Sequence, residues 1–402
     1  MKKENCNDNR LLQQIAPCNL LSFGPDTRPL GLENLNVLIG PNGAGKSNLI
    51  ETLALMRATP RDVREVLRKG GGVTEWIWKG EEKGPATLKL VFNYPIDKRE
   101  LRHSFSFCAD EQGFRLQDER IEDNRSYGNL SKPYFNYRFQ QGHPVVNTSN
   151  PKNTKTKKER KLAFKSINPS LSILAQFRDP EQYPEISYLA EAYDKVRIYR
   201  NWTFGRNTVF REPQKADMRN DRLEEDFSNL GLFLNRLRRS PRAKAEILKG
   251  LQDLYEEVSD FDIIVEGGTV QVFFTEGDFT ISATRLSDGT LRYLCLLAIL
   301  CDPDPPSLIC IEEPELGLHP DILPRLADHF IAASKRTQLI ITTHSDILVD
   351  SMTEQPEVVV VCEKHEGCTE MKRLDKEKLS NWIEKYRLGQ LWTKGYLGGN
   401  RW

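Results

Sequence analysis

Net charge is what this 402-residue chain lacks first: 57 basic residues balance 57 acidic ones. A neutral molecule has no overall field to hold it on nucleic acid, so any contact with DNA must come from a local patch. Long apolar runs are missing as well, and no stretch could cross a bilayer as a helix. The opening residues MKKENCNDNR contain no apolar core of a secretory signal. A cytoplasmic protein with reduced thiols and no membrane partner is therefore expected. The eight cysteines, at 6, 18, 108, 295, 301, 310, 362 and 368, include no C-x-x-C pair, so neither a zinc knuckle nor a zinc hook is indicated. Cys295 and Cys310 sit in apolar runs and read as small core residues. No internal repeat is visible, and no heptad run is long enough for a coiled coil.

What is present begins with Gly40, Pro41, Asn42, Gly43, Ala44, Gly45, Lys46 and Ser47, which meet every position of G-x-x-x-x-G-K-[ST]. Leu35, Val37 and Ile39 before it read as a buried strand, and apolar periodicity from Asn48 to Met56 reads as a helix. Strand, glycine loop and helix in that order specify a site for a nucleoside triphosphate. The glycines let successive backbone N–H groups face the β-phosphate at the positive end of the helix. Lys46 is placed to reach the β- and γ-phosphates, and the Ser47 hydroxyl to ligate Mg²⁺. The candidate nucleotide-binding set runs from Gly40 through Asn48.

Further along, Leu286, Ser287, Asp288, Gly289 and Thr290 lead into an apolar helix from Leu291 to Cys301. A serine at a helix start offers its hydroxyl and free backbone N–H groups, which suit a γ-phosphate. Ser307 to Ile311 then reads as a buried strand ending in Glu312 and Glu313. Adjacent acids on a strand point to opposite sides, so they can take separate work: Glu312 on the Mg²⁺ shell, Glu313 on the attacking water. A proline-flanked turn, Pro314 to Pro320, precedes a helix from Asp321 to Ser334, and His319 in that turn reads as a packing residue. A second apolar strand, Gln338 to Thr342, ends at His344, which is placed to contact a γ-phosphate and sense its loss.

Between these motifs the composition shifts. Residues 1–140 carry the phosphate loop and alternating runs such as Leu88–Phe92 and Phe105–Phe107, which predict half-solvated antiparallel strands. Residues 141–169, with Lys152, Lys155, Lys157, Lys158, Arg160 and Lys161, predict a mobile basic loop. Residues 170–283 predict a helical lobe, including 226–237 and 243–258, followed by short strands at 261–266, 270–274 and 279–282 with a Gly267-Gly268 turn. Residues 284–402 supply the second half of the head and an aromatic tail containing Trp382, Tyr386, Trp392 and Tyr396, read as folding back on the head, with a partner interface as the alternative.

Taken together, the phosphate loop, LSDGT, IEEPELGLHP and TTHS resemble the ABC-type ATPase head shared by RecF, SMC proteins and the OLD family. The likeness is nearest to the compact standalone ATPases of prokaryotic genome-maintenance and antiphage-defence loci. It implies an α/β P-loop NTPase fold: a mixed sheet core, an antiparallel β lobe and a helical insertion. It implies ATP and Mg²⁺ as ligands, ATP hydrolysis with Lys46, Glu313 and His344 as catalytic residues, and a head-to-tail homodimer in which Leu286–Thr290 meets the other copy's phosphate loop. Ser47 and Glu312 would hold the metal; Gln176 is, by position alone, the candidate for the glutamine that joins the lobes and touches it. Glu312 stands where many members have Asp, which leaves a carboxylate in place. Asp288 stands where transporters have Gly, and the separation of Ser47 from Leu286 is far wider than in transporter heads, so a transporter ATPase is disfavoured. Implied partners are a second copy, an effector nuclease or toxin, and DNA through local basic patches such as Arg197, Arg200, Arg206 and Arg211.

Overall fold

A computed structural model of the chain describes residues 9–81, 84–111, 113–126, 133–140, 143–147, 159–161, 167–168, 170–203, 205, 208 and 211–399. At its centre is a six-stranded sheet in the order Val196–Tyr199, Leu308–Glu312, Gln338–Thr342, Leu35–Ile39, Val359–His365 and Cys368–Arg373. The first five strands are parallel and the last closes an antiparallel hairpin. Strands buried on both faces carry unbroken apolar runs, and every residue of Leu35–Ile39 and of Gln338–Thr342 is buried.

Alternation along these strands divides the interior in two. Leu35, Val37, Ile309, Ile311, Leu339 and Ile341 face one core, whereas Leu38, Leu308, Cys310 and Ile340 face the other. The helix Asp288–Leu300 packs into the first core, with Leu291, Leu294 and Leu297 fully enclosed. The phosphate-loop helix Lys46–Arg57 packs into the second through Leu49, Ile50 and Leu53. The two helices that carry nucleotide motifs thus lie on opposite faces of one sheet.

Beside the second core lies an antiparallel sheet of eight described strands, running from Leu30–Gly31 through Leu12–Cys18, Ala86–Tyr94, Arg99–Asp110, Gly113–Asp123, Phe135–Gln140 and His143–Asn147 to Glu159–Lys161. Leu88, Leu90, Phe105 and Ile121 turn one face inward, while Lys89, Arg102, Asp118 and Arg120 line a groove on the other, the period-2 pattern of a one-sided sheet. A smaller antiparallel sheet joins Val258–Glu266, Thr269–Glu276 and Phe279–Ser282 with the short Gln214–Lys215 strand.

Two expectations change, and a third holds in part. The segment 141–169 is not a single loop: His143–Asn147, with Pro144, Val145 and Val146 buried, and Glu159–Lys161 extend the antiparallel sheet, the latter as its last described strand. Lys152, Lys155, Lys157 and Lys158 lie outside the described residues. The stretch read as helical contains helices Pro184–Asp194, Leu230–Leu237 and Pro241–Leu254, but also Val196–Tyr199, an edge strand of the central sheet. The aromatic tail folds back on the head only in part: Leu388, Leu391 and Trp392 are buried, with Leu388 and Trp392 in the first core, whereas Trp382, Tyr386 and Tyr396 are exposed.

Candidate nucleotide site

The loop after Leu35–Ile39 is shaped by close packing. A Cβ on Gly40 would collide with the Cys362 carbonyl oxygen, and one on Gly45 with the Thr369 hydroxyl; both glycines also hold φ values in the left-handed region, +145° and +98°. Thr369 braces the loop by donating to Ala44 O at 3.0 Å and to Ser22 Oγ at 2.7 Å. Asn48, read as a nucleotide ligand, instead donates to the same Ser22 Oγ at 2.7 Å and serves as part of that brace. Gly399 in the tail lies so close that a Cβ there would be 3.3 Å from Gly40 Cα.

Lys46 is buried, and its Nζ donates to Gly40 O at 2.7 Å and Pro41 O at 3.1 Å. Burial pulls its pKa down, with Glu313, Glu315 and Glu312 among the groups that oppose the shift. Ser47, at the helix start, hydrogen-bonds the Glu312 carboxylate. Burial pushes the Glu312 pKa up, while Arg200 pulls it down. Its Oε1 is buried with no hydrogen-bond partner among the described residues. A hydroxyl beside a half-satisfied carboxylate fits a hard cation that keeps most of its ligands from phosphate and water, so Ser47 and Glu312 are suited to hold Mg²⁺.

Glu313 occupies a left-handed backbone position, φ +45°, held by its N–H donating to Thr342 O at 3.0 Å. That twist carries its side chain out of the strand's alternation toward His344, whose Nε2 is 3.5 Å from Glu313 Oε1. Strain of this kind clusters where function requires it. Glu315, which reads in the sequence as part of the turn, accepts from Thr343 Oγ1 at 2.8 Å and from the His344 N–H at 2.7 Å. It is the brace of the histidine loop, and burial raises its pKa.

Ser287 caps its helix, accepting from the Thr290 N–H at 3.1 Å, and Ser287 and Asp288 are exposed. Leu286 is buried beneath them; Gly289 packs near the Gly317 carbonyl oxygen, where a Cβ would approach to 3.0 Å. From the same helix, Arg292 donates to Glu313 O at 2.9 Å and stacks 4.6 Å from the Trp202 ring centroid. Trp202 Nε1 in turn donates to Glu312 O at 2.7 Å. Both acids of the strand end are therefore clamped, through their carbonyls, to a stacked pair: Arg292 from the LSDGT helix and Trp202 from the segment after Val196–Tyr199. His319 does not pack: its side chain is 69% exposed and caps the following turn.

Gln176 is elsewhere. Its amide is spent on its own loop, accepting from Asn168 N–H and donating to the Leu171 and Ser172 carbonyls. Arg178, two residues on, donates to Pro60 O, beyond the far end of the phosphate-loop helix. The hydrogen bonds of the Gln176 amide thus lie within its own loop, and that loop is tied to the residues after the phosphate-loop helix. The arginine patch dissolves likewise. Arg197 is buried, Arg200 pairs with Glu51, Arg211 pairs with Asp288, and Arg206 lies outside the described residues.

The profile of the family described as "AAA domain, putative AbiEii toxin, Type IV TA system" matches residues 35–350, from the phosphate-loop strand to beyond His344. The chain belongs to this family. It is similar to the Retron Ec83 probable ATPase of Escherichia coli, 23% identical over 372 residues covering 80% of this chain and 66% of that one, so the chain spans just under two thirds of that relative. A shorter match, 40% over 73 residues, links 18% of the chain to 6% of the chromosome partition protein Smc of Gloeobacter violaceus. Among solved structures, an Smc head bound to the C-winged helix domain of ScpA superposes with a TM-score of 0.59 at 14% identity, over 92% of this chain and 99% of that one. An Smc head with an extended coiled coil, bound to the C-terminal domain of ScpA and derived from Pyrococcus furiosus, gives 0.58 at 13%, over 93% and 99%. The fold of this AAA-domain chain is thus that of an ABC-type ATPase head, as the sequence motifs implied. No described helix is long and apolar enough to cross a membrane.

Proposed function

We propose that this protein binds ATP with Mg²⁺ in the Gly40–Ser47 loop and hydrolyses it between two copies arranged head to tail, using nucleotide state to control a partner effector or DNA in genome maintenance or antiphage defence. The observation that carries the reading is the exposure of Ser287 and Asp288 at the head of a helix whose body is buried. A motif of that composition, free on the surface, suits the γ-phosphate of a second copy.

In that arrangement Lys46 leaves the loop carbonyls for the β- and γ-phosphates. Glu313 takes the proton of the attacking water as its oxygen bonds to the γ-phosphorus and the bridging P–O bond to ADP breaks. His344, held by Glu315, contacts the departing phosphate. Mg²⁺ at Ser47 and Glu312 supplies neutralising charge at the phosphates.

Within this reading, control of a protein partner is favoured over direct DNA binding. Of the arginines that could have formed a DNA patch, Arg197 is buried and Arg200 and Arg211 are paired, while Trp382, Tyr386 and Tyr396 stay exposed on the tail, the Trp382 ring in contact with both tyrosines. The likeness to a probable ATPase and to Smc heads bound to ScpA supports an ATPase that works through assembly. Light scattering tests it. Glu313→Gln protein is expected to double in mass with saturating ATP and Lys46→Ala protein to stay monomeric; a monomeric Glu313→Gln protein overturns the cycle. ATPase rates unchanged by duplex DNA are expected, and salt-sensitive stimulation would restore the DNA role.

A further inference from the structure

At the far end of the phosphate-loop helix, where the central strands begin rather than end, lies an open cavity of about 560 Å³ that the nucleotide reading does not use. Its walls carry five arginines, and their pairing is uneven. Arg57 grips Glu225 with both guanidinium nitrogens, Arg61 meets Asp194 at 2.7 Å, and Arg219 meets Asp221 at 2.5 Å and Glu224 at 3.7 Å. Asp226, on the same wall, is occupied by the Ser228 N–H and hydroxyl. Arg197 and Arg222 are left over: among the described residues neither has a carboxylate at ion-pair distance.

These two are not solvated surface charges. Arg197 is 8% exposed, and Nη1 is spent on the Asp194 and Val196 carbonyls, which take hydrogen bonds but cancel no charge. Arg222 is half-buried, and its Nε is enclosed without a partner. Burial, and then the like charge of Arg222, pull the Arg197 pKa down; the nearby Glu225 is already held by Arg57. A buried guanidinium without a counter-charge destabilises the fold unless something supplies one.

We propose that this cavity is a binding site for a phosphate monoester, held between Arg197 and Arg222. Two guanidiniums with no carboxylate of their own can each face an oxygen of a group that carries roughly −1.5 to −2 near neutral pH, on a wall where Asp226, and one of the two acids that share Arg219, keep their negative charge. Planar forks suit phosphate oxygens, and the volume lies in the range of small-ligand sites. The site is separate from the ATP loop by the length of the helix Lys46–Arg57, and the proposal does not depend on ATP hydrolysis. The monoester has two sources: a free phosphorylated metabolite such as a nucleoside monophosphate, or the 5′-phosphate of an oligonucleotide.

Calorimetric titration with inorganic phosphate, AMP, and one oligonucleotide with and without a 5′-phosphate decides among them. Using Lys46→Ala protein removes binding at the phosphate loop. One site per chain should persist there, weaken roughly tenfold or more in Lys46→Ala/Arg222→Gln protein, and strengthen as pH rises through the second ionisation of phosphate near about 6. Preference for AMP or for the 5′-phosphorylated strand identifies the source. Arg222 makes no side-chain hydrogen bond to lose among the described residues, so the variant should fold; Arg222→Lys, which keeps charge but not the fork, should bind at intermediate strength. Binding that is indifferent to Arg222→Gln, or that vanishes with Lys46→Ala alone, overturns the proposal.

Discussion

The carboxyl ends of the central strands and the interior of the antiparallel lobe both bury charge, and they treat it in opposite ways. In the lobe the charges are answered. Arg99 lies between Asp123 at 3.1 Å and Glu185 at 2.8 Å, and His103 bridges Tyr193 at 2.8 Å and Glu119 at 3.1 Å. Glu119 is satisfied in turn by Ser172 and the Ile173 N–H; Arg99 Nε is the exception. At the strand ends, Glu312 Oε1 and Glu315 Oε2 are buried without hydrogen-bond partners among the described residues, and Glu313 is held in a strained conformation. Satisfied networks fix a structure, whereas unsatisfied ones keep capacity for a ligand.

Glu313→Gly breaks the comparison most sharply. Hydrolysis should fall about 10²- to 10⁴-fold with the base gone, while stability should hold or rise by up to about 1 kcal/mol as the left-handed strain is relieved. Turnover and thermal melting on one preparation read both. Arg99→Met in the lobe should do the reverse. Two buried acids lose their counter-charge, at a cost of about 3–5 kcal/mol, yet ATPase activity per folded molecule should be retained. Burial already lifts Asp123 to about 6 with Arg99 beside it. The variant's pKa should lie higher, so its stability should recover as pH falls and the acid takes a proton. Equal loss of activity and stability in both variants would erase the distinction.

How far this division could be read from sequence follows from chain distance. The phosphate loop and the Glu312-Glu313 strand end are contiguous motifs, and the structure sets them at the same end of the central sheet, with the strand Gln338–Thr342 between theirs. The clamps are not contiguous: Trp202 reaches Glu312 over 110 residues and Thr369 reaches Ala44 over 325, separations that no local pattern encodes. Val196–Tyr199 escaped notice because Arg197 interrupts a run of only four residues, too short for periodicity to declare itself. The strands His143–Asn147 and Glu159–Lys161 are short and lie among Asn, Thr, Pro and Lys that also mark loops, so two valines in the first and no apolar residue in the second leave no strand pattern to detect. Gln176 was assigned by position, and its amide turned out to staple a turn.

Arg292 connects the two kinds of burial, because its guanidinium, tied to the Glu313 carbonyl and stacked on Trp202, lies at the carboxyl ends of the central strands. Burial pulls its pKa down to about 10, which still leaves it charged at neutral pH. Arg292→Leu should cost about 2 kcal/mol, from one charge-assisted hydrogen bond and the stack on Trp202. Its larger signature is functional: the LSDGT helix loses its tie to Glu313, so turnover should fall more than ATP affinity does. A variant that loses stability alone would make Arg292 a packing residue of the lobe's kind.

The smallest effect, and the most specific, is in pH. Glu312 and Glu315 have folded-state pKa values raised above their ordinary 4.5 by burial. Each binds its proton more tightly folded than unfolded, so the stability it contributes is full below about 4.5 and is lost as pH rises through the raised value. Without nucleotide, the strand ends should therefore be mildly more stable on the acid side. Mg²⁺ with ATP reverses the sign at Glu312, because only the ionised carboxylate can hold the cation. The rise in melting temperature given by Mg²⁺ and ATP should shrink as pH falls from about 8 toward 5, with a limiting slope of about 1.4 kcal/mol per pH unit for one linked proton. In Glu312→Gln protein, which has no proton to lose there, that rise should be smaller throughout and its pH dependence flatter. If it kept the slope of the unaltered protein, the titrating group would lie elsewhere, and Glu312 would be a buried acid of the lobe's kind.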